Sequence, residues 1–500
     1  MEYLISVDVG TTSCKVAIFN LTGDLIAEAQ KNYSLYIPRK NFVEQNAEEW
    51  WIAVCKCIKS VLKLSKVSAE NVISICSTGQ FPSLVLIGKH GKPLRQAIIY
   101  SDMRGEEQSG LIFNKIGLEK IKEVTGFPQS MFPGLPASKI LWLYDHEPEI
   151  IKQTKKCIGA KDFINYRLTG EVATDFLEAW WSGLVEFKSY SWSKKMLSSL
   201  EIPEEWFPKI HKPQEVIGYV NKLASKKTGL KEGTPVVCGS GDGMCAIIGS
   251  GLTEINATMD VTGATEIIAS ITDKRLPPSI GESIFCWRHL IEGLWIVYAS
   301  TASSGAALQW FKTQFGKQIK YDAFLKQAEE GELGSNGLIF LPYLIGEYAP
   351  FFDLNARGAF IGISLNSKKK HFIRAILEGV AFSLNHILEV FNELDIKIKE
   401  VRVGGGGSKS DLWNTIKADV TGRIFLKMKV IDVANLGAAI LASIGVKAYS
   451  SLSEAIKNMV KISKKIEPNL KKHQSYFKIY EVYKNVYPSL KGIFDKLASI

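Results

Sequence analysis

The apolar positions of the first eighty residues change their period twice. YLISVDV and CKVAIFN, residues 3–9 and 14–20, are dense in Val, Ile and Phe and predict two strands joined through Gly10, Thr11, Thr12 and Ser13. NLTGD then turns the chain into a third extended stretch, LIAEAQKNYSL, which completes a β-meander. In NAEEWWIAVCKCIKSVLKL the period lengthens: Trp50, Val54, Ile58 and Val61 recur at helical spacing. NVISICSTG returns to a β-branched run that ends in small residues, so the element order is β-β-β-α-β.

The same order comes back in the second half. ATMDVTGATEIIASIT predicts strand, small-residue turn and strand, LWIVYASTA a third strand, and SGAALQWFKTQF a helix. Asp8, Val9 and Gly10 of the first hairpin are echoed by Asp260, Val261 and Gly263 of the second, which suggests a duplication and two related α/β domains. IIGSGLTEINAT, with its glycines and polar turn, places the boundary near residues 248–256. The expected division is residues 1–248, residues 249–450 and a basic helical extension over residues 451–500. In that extension Tyr476, Tyr480, Tyr483 and Tyr487 share one helix face, and docking on the C-terminal domain is the expected use of the stripe.

Composition narrows the class. A chain of 500 residues, 46% hydrophobic and 22% charged, exceeds what one core organises. MEYLISVDVG lacks a basic segment ahead of an apolar block, and Asp8 and Gly10 interrupt its hydrophobic run, so a cytoplasmic protein with no membrane partner is expected. The net charge of +10 comes largely from lysines spread along surface-like helices, without an RNP-like, finger or basic-zipper pattern, which argues against a nucleic-acid partner. The eight cysteines have no metal-finger spacing, and Cys55 and Cys57 would point to different sides of a helix, so reduced thiols are expected. The seven histidines include no HExxH, which removes the common zinc-enzyme pattern.

Three glycine-rich loops carry candidate chemistry. In the first hairpin, small residues let backbone N–H groups and short hydroxyls approach a phosphate, while Asp8 could hold a hydrated Mg²⁺ and Lys15 add a cation. An ordinary turn with a capped aspartate is the alternative. No GxxxxGK[ST] occurs, so a P-loop is excluded. In PVVCGSGDGMCAIIGSG, Asp242 is the only ionisable side chain among the glycines, placed either to take a proton from a hydroxyl or to bond its own turn. The GSGDGM string departs from GxGxxG at its last position. In VRVGGGGSKSDLWNTIKADVTG, four glycines precede a helix expected to start near Ser408, an arrangement suited to a flat ring or a phosphate.

Two longer segments extend the picture. GLPASKILWLYDH (residues 134–146) and GAFIGISLNSKKKHFIRAILE (residues 358–378) fit the two signatures of the FGGY carbohydrate kinases, and the chain resembles that family over most of residues 1–445. The resemblance implies a duplicated actin-like ATPase fold of the α/β class, with two RNase H-like domains and a ligand cleft between them. It implies ATP and Mg²⁺ as cofactors and a sugar or polyol as substrate. Asp8, Gly10, Thr11, Thr12, Ser13 and Lys15 match the first phosphate hairpin, and Gly263 and Thr265 the second. Gly305, Gln309, Gly406, Gly407 and Asp411 match nucleotide contacts, Asp242 matches the catalytic base, and Asp8 and Asp242 are the carboxylates expected near the metal.

Substrate residues follow the same resemblance: Gln80, Phe81, Pro82, Asp102, Arg104 and Asp242. VEQNAEEWW and the segment STGQFPSLVLIGKHGKPLRQAIIYSDMR are similar to the xylulokinase side of the family. Two departures stand out. Gly79-Gln80-Phe81-Pro82 replaces the common Gly-Gln-Met-His, which removes a histidine donor, and Asp242-Gly243 is closer to the gluconokinase style. Ala264 also stands where a threonine is usual, leaving Thr262 or Thr265 to supply the hydroxyl, or the backbone alone to make the contact. D-xylulose is therefore the favoured acceptor, with gluconate, other ketoses, glycerol or erythritol as alternatives. An ATP-driven chaperone or filament protein of the same fold is the alternative from another class. Related kinases are often dimers, so a homodimer is left open.

Overall fold

A computed structural model describes residues 1–499. The chain divides into two units, one of Met1–Gly251 with Val433–Val460, the other of Leu252–Asp432 with Lys461 onward.

In the first unit the meander forms as the pattern predicts: β1 (Tyr3–Val9), β2 (Ser13–Asn20) and β3 (Leu25–Asn32). The helix α1 (Ala47–Ser65) is capped by Asn46, whose side chain accepts from the Glu48 N–H at 2.9 Å. Trp50, Val54, Ile58 and Val61 are fully buried in one core with apolar residues of β1 and β2, so the helical period marks the core face. Strand β4 (Val72–Gly79) then lies parallel to β1, and β5 (Val216–Tyr219) and β6 (Pro235–Val237) complete a six-stranded sheet among the described residues, in the order β5-β6-β4-β1-β2-β3. Two further helices flank the site described below, α2 (Ala160–Thr169) and α3 (Asp242–Gly249).

In the second unit, β7 (Thr258–Thr262), β8 (Glu266–Thr272), β9 (Ser279–Ile280), β10 (Ile284–Arg288), β11 (Trp295–Thr301), β12 (Glu400–Gly404), β13 (Ile424–Met428) and β14 (Ile462–Ile466) make a sheet ordered β9-β10-β11-β8-β7-β12-β13-β14. The run β11-β8-β7-β12 repeats β3-β2-β1-β4, antiparallel through the hairpin and parallel beyond it. Four helices complete this account of the unit: α4 (Gly305–Phe315), α5 (Lys369–Glu393), α6 (Asp411–Thr421) and α7 (Leu470–Ala498). The tyrosine stripe on α7 does pack within this unit: Tyr476, Tyr480 and Tyr483 are 1% exposed and join its core.

Three expectations change. The span 249–450 is not one continuous domain, because the helix Val433–Gly445 packs on β1, β4 and α3 of the first unit. Its composition is nearly all apolar, and two glycine contacts let the helices meet closely: a Cβ on Gly437 would lie 1.8 Å from the Cys245 carbonyl oxygen, and one on Gly249 1.8 Å from that of Val433. The extension 451–500 is likewise shared, with Val460 and Lys461 falling in different units. Finally, α6 begins at Asp411 with Ser410 as its cap, and Gly407–Lys409 form a short 3₁₀ turn ahead of it. Among the described residues no helix is long and apolar enough to cross a membrane, and the cysteines, Cys55 half-buried and the others buried, are unbridged.

Candidate functional site

The β1–β2 turn brings together most of the first candidate group. Gly10 N–H donates to the Ser13 carbonyl at 3.1 Å, and the Tyr33 hydroxyl donates to the Gly10 carbonyl. Asp8 and Lys15 sit directly opposite each other in the β1–β2 register, so their side chains share one face of the sheet beside the turn. Thr12 is exposed at the tip. Ser13, by contrast, is buried and its hydroxyl accepts from Gln30 Nε2 at 2.8 Å, which turns that side chain toward β3.

Asp242 opens α3, directly after a loop that glycine makes possible. Gly239 has φ +71°, and a Cβ there would meet the Ser77 carbonyl oxygen at 1.8 Å; one on Gly241 would meet the Phe81 ring at 2.3 Å. The loop is thus pressed against the Gly79–Pro82 segment, and Gly241 bridges Gly79. Burial pushes the half-buried Asp242 carboxyl up to about 6, with a bond from the Gly243 N–H pulling the other way. A carboxylate in that range, at the positive end of a helix, is ionised at neutral pH yet basic enough to accept a proton.

Gln80 and Phe81 line the same region. Gln80 Nε2 donates to Gln45 Oε1 at 2.6 Å, and Gln45 Nε2 donates to the Thr11 carbonyl at 2.6 Å, so an amide chain runs from the Gly79–Pro82 segment to the β1–β2 turn. Phe81 meets Trp181 edge to face, with centroids 5.6 Å apart, and Pro82 is buried. Trp50, Trp51, Trp180 and Trp181 are all core residues. Asp102 and Arg104 are engaged with each other: Arg104 Nε reaches Asp102 Oδ1 at 2.9 Å and Nη2 reaches Oδ2 at 2.7 Å, with Glu44 Oε1 at 2.6 Å. Asp102 also accepts from the Val43 N–H at 2.6 Å, so this buried pair anchors the start of the Glu44–Gln45 strand that presents Gln45.

In the second unit the β7–β8 hairpin repeats the first, with Gly263 N–H donating to the Thr265 carbonyl at 2.8 Å. It is fastened to the start of α4: Gly305 N–H donates to the Gly263 carbonyl at 3.1 Å, and a Cβ on Gly305 would stand 2.3 Å from that oxygen. The glycine run reaches the same hairpin, since a Cβ on Gly407 would lie 2.5 Å from Thr262 Cγ2, while Gly406 faces open space. Thr262 is fully committed. Lys417 Nζ donates to its hydroxyl at 2.6 Å, and the hydroxyl lies 3.0 Å from Asp260 Oδ1. Lys417 also pairs with Asp260 and Glu266, all buried, and burial together with the Asp260 charge pushes the Glu266 carboxyl up to about 8. Thr265 is half-buried on the turn. Gln309 is exposed on α4 and bonds Thr313, and Asp411 is exposed and paired with Lys427 and Lys464 at 2.8 and 2.7 Å.

Tyr100 is a candidate side chain that pattern reading passes over. Its hydroxyl accepts from Thr11 Oγ1 at 3.3 Å, and burial raises its pKa, with the Asp242 charge adding to the rise. Gln45 is a second. Neither sits in a glycine loop; the signal for Tyr100 is its place at the end of the apolar run AIIY, two residues before Asp102. A magnesium ion bound with nucleotide takes most of its ligands from phosphate and water, with one or two carboxylates. Among the described residues no three His, Cys, Asp or Glu converge as a metal cage, and the single carboxylate of Asp8 beside the turn fits that kind of partial donor set.

The FGGY family of carbohydrate kinases, N-terminal domain, matches residues 3–249, and its C-terminal domain matches residues 279–446. A xylulose kinase of Bacillus subtilis is 30% identical over 499 residues, covering 100% of this chain and 99% of that protein. Solved structures of a xylulose kinase and a gluconate kinase, both from Lactobacillus acidophilus, each superpose with a TM-score of 0.88 at 28% identity. Both cover 99% of this chain, and the chain covers 100% and 99% of them respectively.

Proposed function

The chain belongs to the FGGY family of carbohydrate kinases, with their two-domain actin-like fold, and we propose that it transfers the γ-phosphoryl group of ATP to D-xylulose, giving D-xylulose 5-phosphate. The observation that carries this is the placement of Asp242, a carboxyl raised by burial at the start of α3, after a loop pressed on the Gly79–Pro82 segment, from which Gln80 and Gln45 run to the Thr11 carbonyl of the small-residue turn. The whole-length likeness to xylulose kinases supports the acceptor.

Asp242 takes the proton of the attacking hydroxyl as the phosphoryl group is transferred in line. In the first unit the backbone N–H groups of Thr11 and Thr12 and the exposed Thr12 hydroxyl are the phosphate contacts, and in the second the corresponding element is the Ala264–Thr265 turn, with Thr265 supplying the hydroxyl. Gly406, without a side chain, leaves room for the base. Mg²⁺, when bound with the nucleotide, neutralises phosphate charge, and Asp8 is the residue that would hold it. Gln80 and Phe81 orient the sugar, and the protein's contribution is mainly positioning and exclusion of water. The enzyme acts in the cytoplasm on small molecules.

Gluconate is the second reading, favoured by the buried Pro82, which offers no donor where a histidine is common, and by Gly243 after the base. The test is ADP release across D-xylulose, L-xylulose, D-ribulose, gluconate, glycerol and erythritol. The highest kcat/KM is expected with D-xylulose, and Asp242→Asn should lower that turnover on the order of 10²-fold with ATP binding intact. A preference for gluconate would overturn the acceptor; an unchanged rate in Asp242→Asn would overturn the base.

A further inference from the structure

The loop before Asp242 raises a mechanical question. Residues 239–241 are Gly-Ser-Gly, and both glycines are there because backbone and ring approach too closely for any Cβ. Glycine offers no side chain to pin a loop and the widest choice of φ and ψ. Ser240 is then the one residue of the three that can be held by its side chain, and it is fully buried.

Its hydroxyl donates to Asp175 Oδ2 at 2.6 Å. Asp175 also caps the helix Phe176–Trp180 by accepting from the Leu177 N–H at 3.1 Å, and its Oδ1 lies 3.0 Å from Lys161 Nζ on α2. Lys161 pairs in turn with Asp162, whose Oδ2 accepts from the Gly159 N–H at 3.3 Å. One turn along α2, Asn165 Nδ2 donates to the Cys238 carbonyl at 2.8 Å, the residue just ahead of the glycines. Ser240, Asp175 and Lys161 are all 0% exposed. Buried ion pairs of this kind seldom improve stability over well-packed apolar side chains, so their use here is directional: the short hydrogen bonds at Ser240 and the Cys238 carbonyl set the orientation of a loop already pressed against its neighbours.

We propose that Lys161, Asp175 and Ser240 form a positioning relay that holds the Asp242 carboxylate in line with the substrate hydroxyl, Ser240 being a positioning residue that acts through Asp242. The relay rests on the reading of Asp242 as the base. A displacement of about 1 Å at a reacting group can cost on the order of 10²-fold in rate, so release of this loop is expected to lower kcat by roughly tenfold or more.

The test is a double-mutant cycle in the full chain, read as single-turnover rate at high enzyme concentration with ATP and the preferred sugar. Ser240→Ala should lower the rate while leaving the equilibrium affinity for ATP unchanged. In an Asp242→Asn background the same change should alter the residual rate by less than about twofold, because there is no carboxylate left to misplace. Ser240→Cys, of similar size with a weak donor, should fall between Ser and Ala, and serves if the alanine variant does not fold. Equal losses in both backgrounds, or a wild-type rate in Ser240→Ala beside a slow Asp242→Asn, would overturn the relay alone. A wild-type rate in Asp242→Asn would overturn the base and the relay together.

Discussion

Asp242→Asn should make the ligand-free protein more stable even as it slows turnover. Burial raises this carboxyl from its ordinary value of 3.8 to about 6. The folded state therefore binds the proton more tightly than the unfolded chain does. Folded stability is full below about pH 4, declines as pH rises from about 4 to about 6, and carries the whole penalty above that. Roughly two pKa units correspond to about 3 kcal/mol at neutral pH. The amide is never ionised and escapes this cost, but its oxygen accepts from Gly243 N–H more weakly than a carboxylate does, a loss of about 1 kcal/mol. The net gain is about 1–3 kcal/mol. For a cooperative unit the size of Met1–Gly251 with Val433–Val460, that corresponds to a rise in melting temperature of about 2–5 °C. Differential scanning calorimetry of both proteins, without nucleotide and with a chelator, from pH 4.5 to 8, measures it. The difference should grow from pH 4.5 to about 6.5 and then level off. A variant that melts below wild type at pH 8, or a difference independent of pH, would refute the claim that a buried charge sits at this position.

Three further outcomes follow from the geometry. Lys417→Met leaves Asp260 and Glu266 facing each other in the core; a loss of about 3–5 kcal/mol is expected in urea unfolding of the ligand-free protein, and an unchanged midpoint would show that the lysine does not hold them. Gly305→Ala places a methyl 2.3 Å from the Gly263 carbonyl oxygen. The second turn must shift at about 1–3 kcal/mol, so calorimetric ATP affinity should fall about tenfold or more, with sugar affinity kept. Tyr100→Phe removes the acceptor of the Thr11 hydroxyl; kcat/KM should drop several-fold, the effect of about 0.5–1.5 kcal/mol, with the melting temperature unchanged.

Local periodicity was sufficient for much of this molecule. Trp50, Val54, Ile58 and Val61 announce α1 because a helix must bury one face, and the Asp8 and Asp260 hairpins are visible because small residues mark a tight turn in any context. Asp242 could be picked out for the same reason, as the lone charge in a glycine loop. Whether a side chain is available is a different matter. Thr262 and Thr265 are equivalent on paper, and only the burial of Lys417 from α6 takes the Thr262 hydroxyl out of play. Asp102 and Arg104 are expected at the substrate by resemblance, and nothing along the chain shows that the fold closes them on each other and on Glu44. Tyr100 meets Thr11 across 89 positions, Ser240 meets Asp175 across 65, and the helix Val433–Gly445 returns to β1 after an entire domain has intervened. A hydrogen bond acts over about 3 Å, so its partners depend on which distant segments the packed core brings side by side, and no pattern along the chain carries that distance.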